Sequence, residues 1–203
     1  MTLLEVAFGM SLFALTIGAV ITTMQQGNSA FQRSTTNATL DMRVGRAMEN
    51  LIQELAPADS DTLLPAAPDG DAWVEFSPVV DYVGGAPVLG TPVRVAAELA
   101  TNELDNGLDD NGDGLVDERI LVRTIDPGTV DEVRLVMARG VRRFMEGEED
   151  NGLDDNGNGL VDEPGLNFEL DGNTLNLRLT CEMVGPNRDV VVRTLETSVT
   201  LRN

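Results

Sequence analysis

Histidine and lysine are missing from this chain of 203 residues, and cysteine occurs once, at Cys181. Without histidine there is no imidazole for acid–base or triad chemistry and no nitrogen ligand for zinc or copper. A single thiol excludes an internal disulfide. Lying in a strand-like stretch, it reads as a small buried hydrophobe, with an intermolecular bridge as the alternative. Basic residues are scarce too: 14 arginines face 34 acids, for a net charge of −20. That balance excludes nucleic acid as a default partner, because such binding rests on neutralising phosphates. It suits cations instead. Aromatics make up 4% of the chain. Those beyond the first apolar run (Phe31, Trp73, Phe76, Tyr82, Phe144 and Phe168) are too dispersed for a stacking platform and read as core. With no Gly-rich phosphate loop either, the chain is read as a non-enzyme. Proline, the strongest helix breaker, does not occur before Pro57.

What is present begins at the N-terminus. From Val6 to Ile21 there is no charge, and only Gly9, Ser11, Thr16 and Gly18 interrupt the apolar residues. With Leu3, Leu4 and Met24 the run reaches the 20 or so residues that a membrane-spanning helix needs. Glu5 stands at its leading edge. A carboxylate in hydrocarbon costs about 2.5–3.5 kcal/mol or more unless it finds a partner. The nearest candidate is the α-amino group of Met1, of the same chain or of a neighbouring copy; in the second case the pair sets the axial register of a polymer. A secretory signal peptide would carry a basic segment first, whereas here the first basic residue is Arg33.

Met1-Thr2-Leu3-Leu4-Glu5-Val6 and the apolar stretch after it resemble the start of mature type IV pilins and of type II secretion pseudopilins. The resemblance implies cleavage before Met1 and N-terminal methylation by a prepilin peptidase, with Glu5 guiding assembly. The start at Met1 fits the mature form. The final segment, Arg193–Asn203, is similar to the last strand of the larger pseudopilins. Many pilins close a C-terminal loop with a disulfide, which this chain lacks.

A helix is expected from Thr2 to about Leu55. Its second half places Leu40, Val44, Ala47, Met48, Leu51, Ile52 and Leu55 at three- and four-residue intervals, the pattern of an amphipathic helix with one core-facing side. Gln25–Ser29 is the weak point, since Gly27 costs about 1 kcal/mol relative to Ala, and local melting is expected there, with a helix that continues with a mild bend as the alternative. Ala56–Asp71 reads as a loop. Strands are expected at Ala72–Phe76, Val93–Glu98, Arg119–Thr124, Glu132–Ala138, Val141–Phe144, Leu166–Leu170, Leu175–Thr180 and Val190–Leu201, with a hairpin at Asp171-Gly172-Asn173. The fold class is therefore α+β: a long N-terminal helix (1–55, of which 1–24 is the membrane or filament-core part and 25–55 the amphipathic part) packed on an antiparallel sheet domain (56–203).

Two acidic segments interrupt the strands. Glu103–Glu118 (ELDNGLDDNGDGLVDE) returns 45 residues later as Glu148–Glu163 (EEDNGLDDNGNGLVDE), differing only at Leu104/Glu149 and Asp113/Asn158. Together they hold 14 of the 34 acids. Such carboxylate density repels itself unless a cation neutralises it, and an all-oxygen set suits hard Ca²⁺. Asp109-x-Asn111-x-Asp113-Gly114 matches the opening of an EF-hand-type loop. In that frame Leu115 offers its carbonyl and Asp117 falls at position nine. The second copy supplies Asp154, Asn156, Asn158, Leu160 and Asp162. Position twelve, where a bidentate Glu is expected, holds Ile120 and Gly165, so Glu118 and Glu163, or Asp105 and Asp150, must complete the shells. The loops also resemble the calcium repeats of thrombospondin type 3. Two Ca²⁺ ions are expected, one per loop, with the second bound more weakly because Asn158 replaces Asp113. The alternative is a pair of solvated acidic turns.

These readings converge on a subunit of a type IV pilus-like extracellular filament on a bacterial surface, held before assembly in the inner membrane with a periplasmic head. Its expected partners are its own copies, the prepilin peptidase and the pilus assembly machinery. The alternatives are a minor pseudopilin at the tip of a secretion pseudopilus and a membrane-anchored calcium-binding adhesin.

Overall fold

The computed structural model describes residues 2–202, and within that range all side chains except those of Leu3 and Glu5. The expected pairing of the Met1 amino group with Glu5 lies outside the described residues. Helix α1 (Leu3–Leu55) is 53 residues long, some 80 Å at 1.5 Å per residue. It runs unbroken through Gln25–Ser29, so the expected melting there is corrected. Breaking the helix would create two new ends, each with up to four unpaired backbone groups. One glycine, at about 1 kcal/mol, does not outweigh that.

The two halves of α1 meet different surroundings. Every side chain from Val6 to Asn28 is exposed; Phe8, Phe13, Leu15 and Met24 are 66–72% accessible. By length and composition this helix is able to cross a membrane, and its most apolar window has a mean hydropathy of 1.9 with nothing buried. From Leu40 onward the spacing read in the sequence becomes a buried stripe: Leu40, Val44, Ala47, Met48, Leu51 and Leu55 are sealed in the core. Ile52 packs partly buried beside them.

The stripe packs on a large, curled antiparallel sheet. Its strands are β1 (Asp69–Asp71), β2 (Trp73–Phe76), β5 (Val93–Leu99), β6 (Arg119–Ile125), β7 (Val133–Val141), β8 (Leu166–Asp171), β9 (Thr174–Val184) and β10 (Val190–Thr200), with β3 (Val79–Val83) and β4 (Ala86–Leu89) forming a separate hairpin. The order is β1-β8-β9-β7-β6-β5-β2, with β10 paired to β9, and β2 comes back into contact with β8. Strand β9 is the spine. It alternates Leu175, Leu177, Leu179 and Cys181 into the core and pairs with β10 along its whole length. On its other edge it pairs with β8 and then with β7 at Val141↔Cys181. Helix α1 lies against β10, β9 and β7. Burial pushes the Cys181 thiol up to about 12, with Glu182 adding to the shift.

Three details differ from the sequence reading. Val141 ends β7 instead of opening a strand to Phe144, which makes only an isolated bridge to Pro164. The β3–β4 hairpin, turning at Gly84-Gly85, was not expected; prolines at 78 and 87 mask its apolar runs. The segment read as a loop holds a short 3-10 turn (Ser60–Thr62) and β1.

The acidic segments join β5 to β6 and β7 to β8, as insertions between strands. The second is sewn down where it leaves: Gly165 N donates to the Arg143 carbonyl, and Thr180 N donates to the Gly165 carbonyl. A Cβ at Gly165 would sit 1.9 Å from the Arg142 carbonyl oxygen, so only glycine fits.

Leu51→Ala is expected to lower the unfolding free energy of the full chain in detergent by about 2–5 kcal/mol, while Leu12→Ala leaves it unchanged. Urea titration followed by Trp73 fluorescence measures both.

Candidate metal centre

Asparagine and aspartate side chains bond readily to backbone N–H groups a few residues ahead, which bends a chain into consecutive turns. Each acidic loop is built this way. In the first, the two Asp109 oxygens accept from Gly112 N (2.6 Å) and Gly114 N (2.9 Å), Asn111 Oδ1 from Asp113 N (2.9 Å) and Asp113 Oδ1 from Leu115 N (2.9 Å). The second loop repeats these bonds 45 residues later: Asp154 with Gly157 and Gly159, Asn156 with Asn158, Asn158 with Leu160. Gly114 and Gly159 take φ of 92° and 95°, a region closed to other residues at low strain. The sequence repeat is thus a structural repeat down to single hydrogen bonds.

The remaining acids divide into two groups. Asp117 is buried and accepts from Asn106 N and Gly107 N at 3.0 Å; Asp162 does the same for Asn151 and Gly152. Both adopt the left-handed conformation, φ 50°, and both close the base of their loop. Asp105 pairs with Arg119 and Arg143, and Asp150 with Arg143. Arg143 therefore bridges the loops, reaching Asp105 at 3.0 Å, Asp117 at 3.2 Å and Asp150 at 3.0 Å. Its guanidinium also lies over the Phe144 ring.

The second group is the flanking glutamates. Glu103 and Glu118 are 5% and 3% exposed, Glu148 and Glu163 2% each. Glu103 Oε1 accepts from Asn111 N (2.8 Å), and Glu118 Oε1 from Asn111 Nδ2 (2.8 Å). Their other oxygens, Glu103 Oε2 and Glu118 Oε2, are buried without a hydrogen-bond partner, as is Glu163 Oε2. Burial pushes the Glu118 carboxyl above its ordinary range, and the nearby Asp113 and Glu103 add to it. A buried carboxylate oxygen without a donor is costly, and here two such groups flank one asparagine.

The loops are not equivalent. Glu148 has both oxygens satisfied, by Asn156 N and Asp162 N. Glu163 bonds Asn158 Nδ2 and has Arg178 Nη1 at 3.9 Å. The first loop has no arginine within ion-pair reach of Glu103 or Glu118 among the described residues, and it carries Asp113 where the second has Asn158. Buried carboxylate oxygens without a partner are therefore more numerous there, two against one among the described residues.

No protein-family model, curated protein or solved structure matches the chain. The site is therefore read from its own chemistry. Among the described residues no three His, Cys, Asp or Glu side chains stand grouped as ready metal ligands; the oxygens that line the loops belong in part to asparagines. The orphaned Glu103 and Glu118 oxygens, beside Asp113, are the observation that fits a hard cation. Glu103, Glu148 and Arg143 were not among the residues singled out in the sequence. The two glutamates were legible there, since each opens its repeat. Arg143 was not, because its partners lie at both ends of the first loop and at the start of the second.

Glu182, 8% exposed, lies 3.7 Å from Arg142. Desolvation pushes its carboxyl up to about 7, with Arg142 pulling the other way. A raised carboxyl pKa means the folded state holds a proton that the unfolded state releases, so this group costs stability as pH rises from the ordinary range through 7. Glu182→Gln is expected to raise the melting temperature at pH 8, by up to roughly 3 kcal/mol in stability terms, and to leave it unchanged at pH 4. Calorimetry at the two pH values checks the sign.

Proposed function

We propose that this chain is a structural subunit of a type IV pilus-like extracellular filament, assembled through the apolar half of α1 and stiffened by Ca²⁺ in its two acidic loops. The observation that carries the assembly reading is the apolar helix surface of Val6–Met24, exposed on every side. Large exposed apolar surfaces mark sites of association or membrane contact. Burying a Leu or Phe side chain is worth about 1.5–3 kcal/mol relative to water, so leaving Phe8, Leu12, Phe13, Leu15, Ile17 and Ile21 in water costs on the order of 10 kcal/mol, a cost that lipid or a bundle of copies removes. The layout supports the same reading: a long N-terminal helix with its second half on an antiparallel sheet is the arrangement that the pilin-like start implies. Before assembly the same surface would lie in the inner membrane, with the Glu5 carboxylate facing a terminal amine.

For the metal, the supporting observation is the pair of orphaned carboxylate oxygens in the first loop. Asp109, Asn111, Asp113 and the Leu115 carbonyl would supply the near side of a Ca²⁺ shell, and Glu103 and Glu118 the far side. Asp154, Asn156, Asn158, Leu160 and Glu163 would form the second, weaker site. In this arrangement Asp105, Asp117, Asp150 and Asp162 fasten the loops and leave coordination to the others. Oxygen sites of this kind in extracellular modules bind with Kd of about 10⁻⁴–10⁻³ M, so millimolar external calcium would keep them largely filled. The ion would order each loop where other secreted domains use a disulfide.

Calcium is expected to raise the melting temperature of the full chain in detergent, and EDTA to lower it. Glu118→Gln should weaken the tighter of two sites by tenfold or more in isothermal titration, with the other site unmoved. Equal melting with calcium and with EDTA would refute the metal. For assembly, Glu5→Ala should abolish filaments seen by electron microscopy while the chain remains in the membrane fraction; undiminished filaments would remove Glu5 from the account.

A further inference from the structure

The chain carries far more acids than arginines, yet five arginines have no carboxylate within ion-pair reach among the described residues: Arg43, Arg46, Arg139, Arg188 and Arg202. Three of them line one groove. Strand β7 touches β9 in register only at Val141↔Cys181; from there back to Val133 it has β6 as its only strand partner among the described residues. Helix α1 spans the opening, leaving a groove of about 460 Å³ between helix and strand. Met42, Val136 and Met137 supply its apolar lining, Arg43, Arg46 and Arg139 its charge. Met42 is 66% exposed and Val136 42%, and the apolar surface continues along β7 to Leu135 and Val133.

The acidic loops present the opposite pattern. Leu108 and Leu153 are each 62% exposed and are followed by Asp109-Asp110 and Asp154-Asp155. Asp110 and Asp155 are exposed and take no part in the proposed cation shells. Each loop keeps a net negative charge after binding one Ca²⁺, since each holds seven acids. Apolar tip meets apolar lining, and aspartates meet unpaired arginines. Such complementarity fixes register and orientation at an interface.

We infer that the groove between α1 and β7 receives the acidic double loop of a second copy, with Leu108 or Leu153 seated against Met42 and Val136 and Asp110 or Asp155 facing Arg43, Arg46 and Arg139. The inference rests on the assembly reading, which sets copies side by side, and it adds a contact between heads to the bundling of helices. The matching surfaces lie on different parts of the chain, so a contact that uses one groove and one loop per pair of copies is head-to-tail and repeats along a polymer.

Cysteine cross-linking of the full chain tests it. One copy carries Met42→Cys and a co-expressed copy Leu153→Cys or Leu108→Cys, both with Cys181→Ala, because Cys181 lines the same groove. Mild oxidation is expected to give a disulfide-linked dimer of the chain. Arg43→Glu, Arg46→Glu and Arg139→Glu together in the first copy should reduce its yield at least tenfold. A second pair, Leu12→Cys with Leu15→Cys in separate copies, reports helix bundling. Bundling cross-links without the groove cross-link would overturn the groove and leave the assembly reading standing. Absence of both would overturn both. A yield no greater than from Val80→Cys paired with Leu153→Cys, a yield unmoved by the charge reversals, or linkage of Met42→Cys to another protein instead, would also overturn it.

Discussion

Water's exclusion of apolar surface sets the terms for this molecule, because the first half of a helix some 80 Å long has no covering within a single chain. The second half of the same helix obeys ordinary globular rules. Its stripe from Leu40 to Leu55 disappears into a core with β6, β8 and β9. The change between the halves follows from composition: past Met24 the helix gains Gln, Asn, Thr and Arg on its outer face, while from Val6 to Met24 only Gly, Ser and Thr interrupt the apolar residues. The hydroxyls there turn inward, Ser11 and Thr16 bonding carbonyls one turn back. They therefore add little polarity to a surface that must meet lipid or another helix.

The head domain faces a different electrostatic problem, which its arginines solve only in part. Arg143 draws three carboxylates from two loops to one guanidinium, and Arg178 sits near Glu163. What remains uncompensated is concentrated in the first loop, where Glu103 and Glu118 each bury an oxygen without a donor. The hydrogen bonds made by Asp109, Asn111 and Asp113 shape the loop but do not reach those oxygens. Shaping the loop is thus one task; holding the proposed cation would be a second, in which the orphaned Glu103 and Glu118 oxygens join the same residues. The duplication preserves the first task more strictly than the second, since Glu148 is satisfied by backbone N–H groups and Asn158 replaces an aspartate.

Much of this architecture was legible in the sequence, and the reasons differ by element. The long helix was readable because its apolar periodicity is strong and no proline intervenes. The sheet strands followed from Val- and Leu-rich runs bounded by Gly, Asp and Pro. Melting at Gln25–Ser29 is the expectation from Gly27 and from the pilin-like start; cooperativity within a long helix outweighs one residue's propensity. The β3–β4 hairpin was not legible in the sequence because prolines lower strand propensity, although an edge position tolerates them. Within the loops, ligand-type residues were visible but their division of labour was not. Whether Asp117 faces an ion or caps backbone N–H groups depends on its left-handed φ, and Arg143 depends on the spatial meeting of segments far apart in the chain.

Filament assembly and the groove contact both depend on the uncovered helix finding copies of itself, and imaging addresses that most directly. Full-length chain sheared from the cell surface and examined by cryo-electron microscopy without detergent should appear as helical filaments. The α1 segments should pack at the axis and the heads, with their acidic loops, outside. A monodisperse, detergent-free monomer with Val6–Met24 folded against its own head would contradict the account.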